Sequence, residues 1–299
     1  LAVHSIGHWV SYYSDSYEHF FLFTLFPLIG IALTVAYVQF VLKGNFKKGS
    51  AEISYAIARQ SSKLPGNQIY SHVVTSALTV GFGGSLGLES PMVSSGAAVG
   101  SNFGSFFHLS YKDRTVLLAC GAAAGIAAAF NSPVAGVLFA IEVLLADVTV
   151  AAFIPIIIAA AAGALLSKII LAEGITLSFS LQQPFDYHNV PYYILLGILA
   201  GFVSLYYSQL VERIDGYFSS IKSHVKKVVI GGVLLSLLLI LFPPLFGEGY
   251  ESIKTLSTTH PESLLENTLL ESHKSNEWLL LIFIGLTTLL KSFATGLTL

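Results

Sequence analysis

Seven windows of the sequence run for about 20 residues or more without a charged side chain. They are 20–42, 68–88, 90–111, 115–141, 148–167, 190–211 and 228–247. A helix of about 20 residues rises about 30 Å, which is the thickness of a bilayer's hydrocarbon core. The windows do not alternate between polar and apolar residues as the strands of a membrane barrel do. Since only 11% of the residues are charged and the mean hydropathy is +0.73, the sequence predicts an all-α polytopic membrane protein.

The connections between the windows differ in the sign of their charges. Two of them are basic, through Lys43, Lys47, Lys48, Arg59, Lys63, Arg213, Lys222, Lys226 and Lys227. The positive-inside rule places both basic connections in the cytoplasm and the acidic connections 172–190 and 248–277 outside. We therefore expect a multi-pass protein of the plasma (inner) membrane, surrounded by the lipid bilayer. A net charge of −2 without a basic surface argues against a nucleic-acid partner.

The stretch from Gly81 to Gly104 holds one charged side chain, Glu89. Ser90 and Pro91 follow it directly and predict a helix start, with Ser90 as the capping residue and Pro91 as the first helical residue. The backbone N–H groups and the dipole at such a start attract anions. Backbone could also approach an anion closely at the nearby glycines, which are residues 81, 83, 84 and 87.

A carboxylate tethered at an anion-binding helix start occupies the site when it is charged and leaves it when it is protonated. This behaviour is that of a gate, and it is the function that we predict for Glu89. The simpler alternative is that Glu89 only caps its own helix. The cost of an ionisable side chain at membrane depth favours the functional interpretation.

The run 120–145 is rich in glycine and alanine, which allow helices to approach closely. Asn131, Ser132 and Pro133 interrupt it, so the sequence predicts two half-helices that meet at a polar break. Glu142 lies in the second half-helix. Its ordinary interpretation is an acid at the cytoplasmic end that pairs with a lysine or arginine.

Lys47, Lys48, Gly49 and Ser50 precede a short amphipathic helix predicted for 49–60. One interpretation is a second helix start that attracts anions on the inner side of the membrane. The other is that the lysines extend to the lipid headgroups. The sequence alone leaves both interpretations open.

The residues offer little support for an enzyme or a metal site. His4 and His8 have a possible metal-ligand spacing, but no third ligand is near, and a pair at the membrane interface beside Trp9 fits better. Cys120, the single cysteine, is expected to be a small core residue and excludes an intramolecular disulfide. We find no convincing pair of nucleophile and base, so we predict neither an enzyme nor a cofactor.

The directions in which two spans cross the membrane indicate two inverted membrane repeats. A span that ends near residue 10 comes from the inside, whereas the span that begins near residue 190 enters from outside. We expect 1–172 to hold the first repeat, with its start missing, and 173–299 to hold part of the second, with its end missing. The sequence thus has the character of a fragment cut at both ends.

Three stretches of the sequence resemble the CLC family of chloride channels and chloride/proton antiporters. Gly87 to Pro91, GLESP, is similar to the G-(K/R)-E-G-P motif that carries the family's gating glutamate. Gly121 to Glu142 is similar to the family's most recognisable internal run, and Gly247 to Tyr250 resembles its GxGY turn. The resemblance implies a CLC-type bundle of tilted and broken helices, a homodimer, and one anion pathway in each subunit.

The resemblance also implies roles for individual residues. Glu89 matches the external gating glutamate, and Gly87, Leu88, Ser90 and Pro91 would line the anion pathway beside it. Leu88 replaces the basic residue of the motif and Ser90 replaces its second glycine, which weakens the positive field at the gate.

The inner part of the anion pathway departs further from the family. The inner serine motif, GSGIP, aligns with Lys47 to Ala51, and its serine coincides with Lys48. The pathway then lacks that hydroxyl, or takes Ser50 in a shifted register, or places an ammonium group at the inner mouth beside Gly49.

Val143 occupies the position of the glutamate that relays protons on the inner side of the family's antiporters. A valine side chain cannot carry a proton, so the resemblance implies chloride transport of a channel-like kind that is gated by a protonatable glutamate. The alternatives are a chloride/proton antiporter with a different internal proton route and a fluoride-selective variant of the same fold.

Overall fold

A computed structural model describes residues 20–46, 51–59, 61–144, 150–171, 186–256, 261–265 and 276–299, together with 3, 6, 7, 10, 268 and 270. The regular structure within these residues is helical. The α-helices are α1 (Phe20–Phe40), α2 (Ala51–Ala58), α3 (Gln68–Gly81), α4 (Glu89–Phe106), α5 (Tyr111–Phe130), α6 (Pro133–Phe139), α7 (Val150–Leu171), α8 (Val190–Ser220), α9 (His224–Leu241), α10 (Tyr250–Leu256) and α11 (Glu277–Thr298). A π-helical segment, Ala140–Leu144, extends α6.

Within the described residues, five helical segments are long and apolar enough to cross a membrane, which confirms the prediction of an all-α polytopic protein. They are Tyr111–Phe130, Ala151–Ile170, Tyr187–Ser220, His224–Leu241 and Trp278–Thr298. Two shorter apolar segments, Leu25–Phe40 and Pro133–Leu144, accompany them.

Two of the seven charge-free windows hold no candidate span, and a third, 20–42, holds only the shorter segment Leu25–Phe40. The window 68–88 contains α3, whose 14 residues rise only about 21 Å, followed by a loop. The window 90–111 contains most of α4, which is 18 residues long but carries so many serines and glycines that it is not apolar enough to face lipid. Many residues of both helices are buried against other parts of the protein, which explains why their small polar side chains are tolerated.

The chain forms two compact units that do not follow sequence order. The first unit consists of Leu1–Ala36, Ala77–Gly87 and Phe179–Leu299, and the second of Tyr37–Ser76 and Leu88–Ser178. The boundary that we predicted between two repeats, at residues 172 and 173, lies outside the described residues. The division into repeats therefore stays a prediction.

The second unit is built around α5. Helix α4 packs antiparallel to it, with Gly96 against Gly121 and Gly125 against Met92. Helix α7 packs parallel to it on another side, where the Ser167 hydroxyl donates to the Ala128 carbonyl at 2.8 Å. Cys120 is buried in this second interface, as we predicted for a small core residue.

The first unit has its core between α9 and α11. Leu235, Leu239, Leu245 and Ala294 are fully buried there. Helix α8 packs against α11, but most of its surface is exposed.

Asp186 lies just before α8 and caps the short turn that leads into it. Its carboxylate accepts the backbone N–H of His188 at 2.9 Å and contacts the His188 ring nitrogen Nδ1 at 2.8 Å. The backbone hydrogen bond first, and the ring contact second, hold the pKa of Asp186 below its ordinary value.

Candidate anion gate

Glu89 is the first residue of α4 and is half-buried. Leu88 precedes it as the N-cap, with φ −94° and ψ −2° and no side-chain hydrogen bond to the helix, and its carbonyl accepts the Met92 N–H at 3.1 Å. The carboxylate is thus attached where the helix dipole is positive and where N–H groups lack intrahelical acceptors.

The helix begins earlier than we predicted. Ser90, expected as the cap, is exposed and lies inside the first turn, and Pro91 is the third helical residue. Because Leu88 already has helical dihedral angles, the helix extends back to Glu89. Pro91 costs no hydrogen bond there, since the first-turn N–H groups have no helical partner in any case.

Three of the glycines before Glu89 lie in close contact with other parts of the protein, and their approach to an anion stays a prediction. Gly83 has φ +96° and lies directly against the Phe246 ring. A Cβ atom on Gly84 would be 2.7 Å from the Thr79 carbonyl oxygen, and one on Gly81 would be 2.9 Å from Ile6. Gly87 is half-buried, and its predicted place in the anion pathway stays a prediction.

Ser85 lies between these glycines and Gly87 and is fully buried. Its backbone N–H donates to the Thr298 hydroxyl at 3.2 Å, and that hydroxyl donates in turn to the Ala294 carbonyl at 2.8 Å. Within the described part of the chain the Ser85 hydroxyl has no hydrogen-bond partner. The final turn of α11 therefore fixes the backbone of the loop that leads to Gly87.

A glycine seam holds α4 against α5 and so fixes the base of the helix that carries Glu89. The backbones of Gly96 and Gly121 touch directly, and a Cβ atom on Gly125 would be 2.8 Å from the Met92 carbonyl. Contacts this close require a glycine on at least one of the two helices at each point of contact.

The polar break predicted between two half-helices is confirmed. Asn131 ends α5 in the left-handed conformation, with φ 49° and ψ 37°, and its N–H donates to the Ala127 carbonyl. Ser132 is extended and Pro133 is the first residue of α6. Asparagine tolerates the left-handed region and proline suits a first helical position, so local chemistry accounts for the break.

The π-helical segment carries both Glu142 and Val143, whose side chains are exposed. Its residue Leu144 is buried beside Ile53 of α2 and Val93 of α4. The position that we aligned with an inner proton relay thus lies on a segment in contact with α2. Val143 offers no group there that binds a proton.

Lys48, Gly49 and Ser50 lie outside the described residues, as do His4 and His8. The inner anion ligand therefore stays a prediction. The short helix predicted after Ser50 is confirmed as α2.

Two polar features escaped the analysis of the sequence. The first is Lys291 in α11, whose ammonium group donates to the carbonyl of Gly247 at 2.7 Å and lies 3.4 Å from that of Leu245. It borders a cavity of about 330 Å³. The sequence does hold a sign of this contact, because a charged lysine in the middle of the apolar run 278–298 needs polar partners.

The second feature is a buried cluster on α2 and α3. The side-chain amide of Gln68 donates to the carboxylate of Glu52, and His72 lies one helical turn after Gln68. The spacing of Gln68 and His72 places them on one face of α3, but the sequence gives no sign that this face meets α2.

Comparison with known proteins identifies the family of this chain. The sequence model described as "Voltage gated chloride channel" matches residues 29–299. The chain is 32% identical over 194 residues to the voltage-gated ClC-type chloride channel ClcB of Shigella boydii, which covers 63% of this chain and 45% of that protein. It is 29% identical over 237 residues to a ClcB-like protein of Ralstonia nicotianae, which covers 77% of this chain and 54% of that protein. The chain thus spans about half the length of these curated relatives.

Two solved structures share the fold. The crystal structure of a slow cyanobacterial Cl⁻/H⁺ antiporter matches with a TM-score of 0.77 and 19% identity, and it covers 99% of this chain and 69% of that one. A CLC-type fluoride/proton antiporter matches with a TM-score of 0.69 and 22% identity, and it covers 98% of this chain and 70% of that one. At these identities the likeness concerns the fold alone.

Proposed function

The chain belongs to the voltage-gated chloride channel family, and on that premise we propose that it moves chloride passively across the membrane through a pathway gated by Glu89. It is a multi-pass membrane protein of a family of channels and transporters. The proposed location is the plasma membrane, and the proposed assembly is a homodimer with a gate in each subunit.

The position of Glu89 at the start of α4 is the observation that carries the proposal. Anions favour a helix start, and a carboxylate attached there competes with chloride for the same field. Protonation removes the negative charge and with it the competition. The model of the gate therefore requires that acid on the outer side raises the chloride flux.

The residues around Glu89 support an anion pathway that has few charged side chains beside it. Leu88, Ser90 and Pro91 bring no charged side chain to the first turn of α4, and Gly87 brings no side chain at all. Chloride at this end of the pathway would meet backbone dipoles and the Glu89 carboxylate. On the inner side we propose that Lys48, Gly49 and Ser50 meet the anion, with Lys48 in the place of a serine hydroxyl.

Val143 favours passive transport over coupled exchange, because its side chain cannot pass a proton inward. Chloride/proton exchange requires another internal proton route, and fluoride transport requires a different selectivity at the same gate. Both remain alternatives within this fold, and the two solved structures with similar folds are those of antiporters.

Proton movement in liposomes distinguishes these functions. The full-length protein is reconstituted, a chloride gradient is imposed, and the membrane potential is set so that a leak would drive protons in the opposite direction to exchange. Chloride flux without uphill proton movement is the expected result. Uphill proton movement would establish exchange, fluoride flux far above chloride flux would establish the fluoride variant, and the absence of any anion flux would overturn the proposal.

A further inference from the structure

The buried cluster on α2 and α3 contains two titratable side chains that the proposed gate does not use. His72 is only 5% exposed, and Gln68 is 7% exposed. Glu52 is half-buried, accepts a hydrogen bond from Gln68 and acts electrostatically on the His72 ring. The Phe46 ring covers the imidazole at a centroid distance of 4.9 Å.

The cluster adjoins the helix that carries the gate. The Ser95 hydroxyl of α4 lies 3.5 Å from the Gln68 carbonyl, and Ile53, next to Glu52, is buried in the same cluster as Val93 of α4. Ser95 is six residues after Glu89, which corresponds to about 9 Å along the helix axis. A charge on the cluster therefore acts on the first turns of α4.

The elements around His72 carry few other ionisable groups. In the described residues, α1 has Tyr37, α2 has Glu52 and Tyr55, α3 has Tyr70 and α4 has Glu89. The connections on either side of α2 add Lys43, Arg59 and Lys63, which are exposed. Lys43, Tyr55 and Tyr70 are exposed to the surroundings of the protein, whereas Glu52 meets the buried face of α3. Among the described residues, Glu52 is thus the carboxylate that acts on the His72 ring.

Imidazole is the side chain whose ordinary protonation falls near neutral pH. Burial opposes its charged form, and a neighbouring carboxylate supports it. Glu52 is half-buried and therefore partly open to the surroundings, and it lies at the start of α2, after a connection that the positive-inside rule places in the cytoplasm. Protons can therefore reach the cluster from the inner side.

We propose that Glu52 and His72 form an inner protonation site that raises anion flux when the cytoplasm becomes acid. This inference rests on the proposed function, because it concerns the same anion pathway. When His72 binds a proton, its positive charge lies one helical turn from Gln68, whose carbonyl meets Ser95 of α4, and we expect it to favour an anion at the start of that helix. The effect on flux is roughly tenfold, as expected for one charge that acts across about 10 Å at an effective dielectric constant of about 20.

The test measures chloride flux of the full-length protein in liposomes at constant outer pH while the inner pH is varied from about 8 to about 5.5. Flux of the unmodified protein is expected to rise about tenfold as the inside becomes acid. In His72→Gln the response is expected to disappear, with flux at the low, alkaline level. In Glu52→Gln the response is expected to need a more acid interior, because the imidazolium loses its carboxylate partner.

Two further variants keep the result interpretable. His72→Lys places a side chain of higher ordinary pKa at the same buried position, so its response should shift to a more alkaline inner pH. A flux that reaches the acid level also shows that substitution at position 72 leaves a folded protein. Glu142→Gln removes an exposed carboxylate of the same unit and should leave the response to inner pH unchanged. An unchanged response in His72→Gln, or its loss in Glu142→Gln, would overturn this inference alone, whereas a lack of anion flux in the unmodified protein would overturn the proposed function.

Discussion

The backbone N–H of Ser85 donates to the hydroxyl of Thr298 across 213 positions of the sequence. Ser85 belongs to the glycine-rich loop before α4, and Thr298 is the final residue of α11. Both are buried, and the Thr298 hydroxyl is also bonded to its own helix through Ala294. The loop thus takes its position from a helix that is remote in sequence.

Thr298→Val tests this connection. Valine has nearly the same shape but leaves the buried Ser85 N–H without its acceptor, so we expect a loss of about 1–3 kcal/mol in the free energy of unfolding. Thermal unfolding in detergent measures the change. Thr298→Ser keeps the hydroxyl and should retain most of the stability; equal losses in the two variants would show that the methyl group and not the hydrogen bond matters.

Glu89→Gln tests the gate directly. The amide is uncharged at every pH, so it cannot compete with chloride as the carboxylate does. We expect the flux at neutral outer pH to rise to the level that the unmodified protein reaches in acid, and its dependence on outer pH to vanish. Liposome flux at several outer pH values measures both effects, with Glu142→Gln as the matched control. Retention of the outer-pH dependence in Glu89→Gln contradicts the assignment of the gate.

Gly96→Ala tests the seam that holds α4. The added methyl group would overlap the carbonyl of Gly121, and separation of the helices to relieve the overlap costs about 1–3 kcal/mol of stability. Gly197→Ala is the control, because nothing lies within 4 Å of the added atom on α8. It should be neutral or stabilising by about 0.4–1 kcal/mol. Comparable melting temperatures for the two variants would contradict the close contact.

Lys291→Met tests the contact between α11 and the Gly247–Tyr250 turn. Methionine keeps much of the apolar stem of lysine but cannot donate to the Gly247 carbonyl, so we expect a loss of about 1.5–3 kcal/mol. Lys168→Met removes an exposed lysine near the end of α7 and should change stability by less than about 0.5 kcal/mol. Thermal unfolding compares the two, and a smaller loss at position 291 than at 168 would refute the role of the contact.

Local chemistry explains why some features were predictable from sequence. The break at Asn131 and Pro133 depends on the dihedral preferences of those two residues alone, and both lie where the pattern placed them. The long apolar helices α7 and α8 follow largely from the charge-free windows 148–167 and 190–211. The capping preferences of Ser90 and Pro91 placed a helix start correctly to within two residues.

Other features depend on tertiary contacts, which no pattern in the amino-acid sequence predicts. Whether the glycines near Gly83 admit an anion or a protein neighbour depends on Phe246, which lies more than 160 positions away. The absence of charge in 68–88 suggested a span, but the length of α3 is set by the loop that follows it. The cluster of Glu52, Gln68 and His72 exists only because α2 meets one face of α3.

Helix α8 has 31 residues and a length of about 46 Å, whereas the hydrocarbon core of a bilayer is about 30 Å thick. Its charge-free part, 190–211, accounts for about 33 Å, so the remaining two and a half turns, which carry Glu212, Arg213 and Asp215, extend beyond the hydrocarbon. The helix has no break between these parts. Any tilt that adjusts α8 to the thickness of the bilayer therefore also moves the end of the helix that lies in water. Membrane thickness and the position of residues 212–220 are thus mechanically linked.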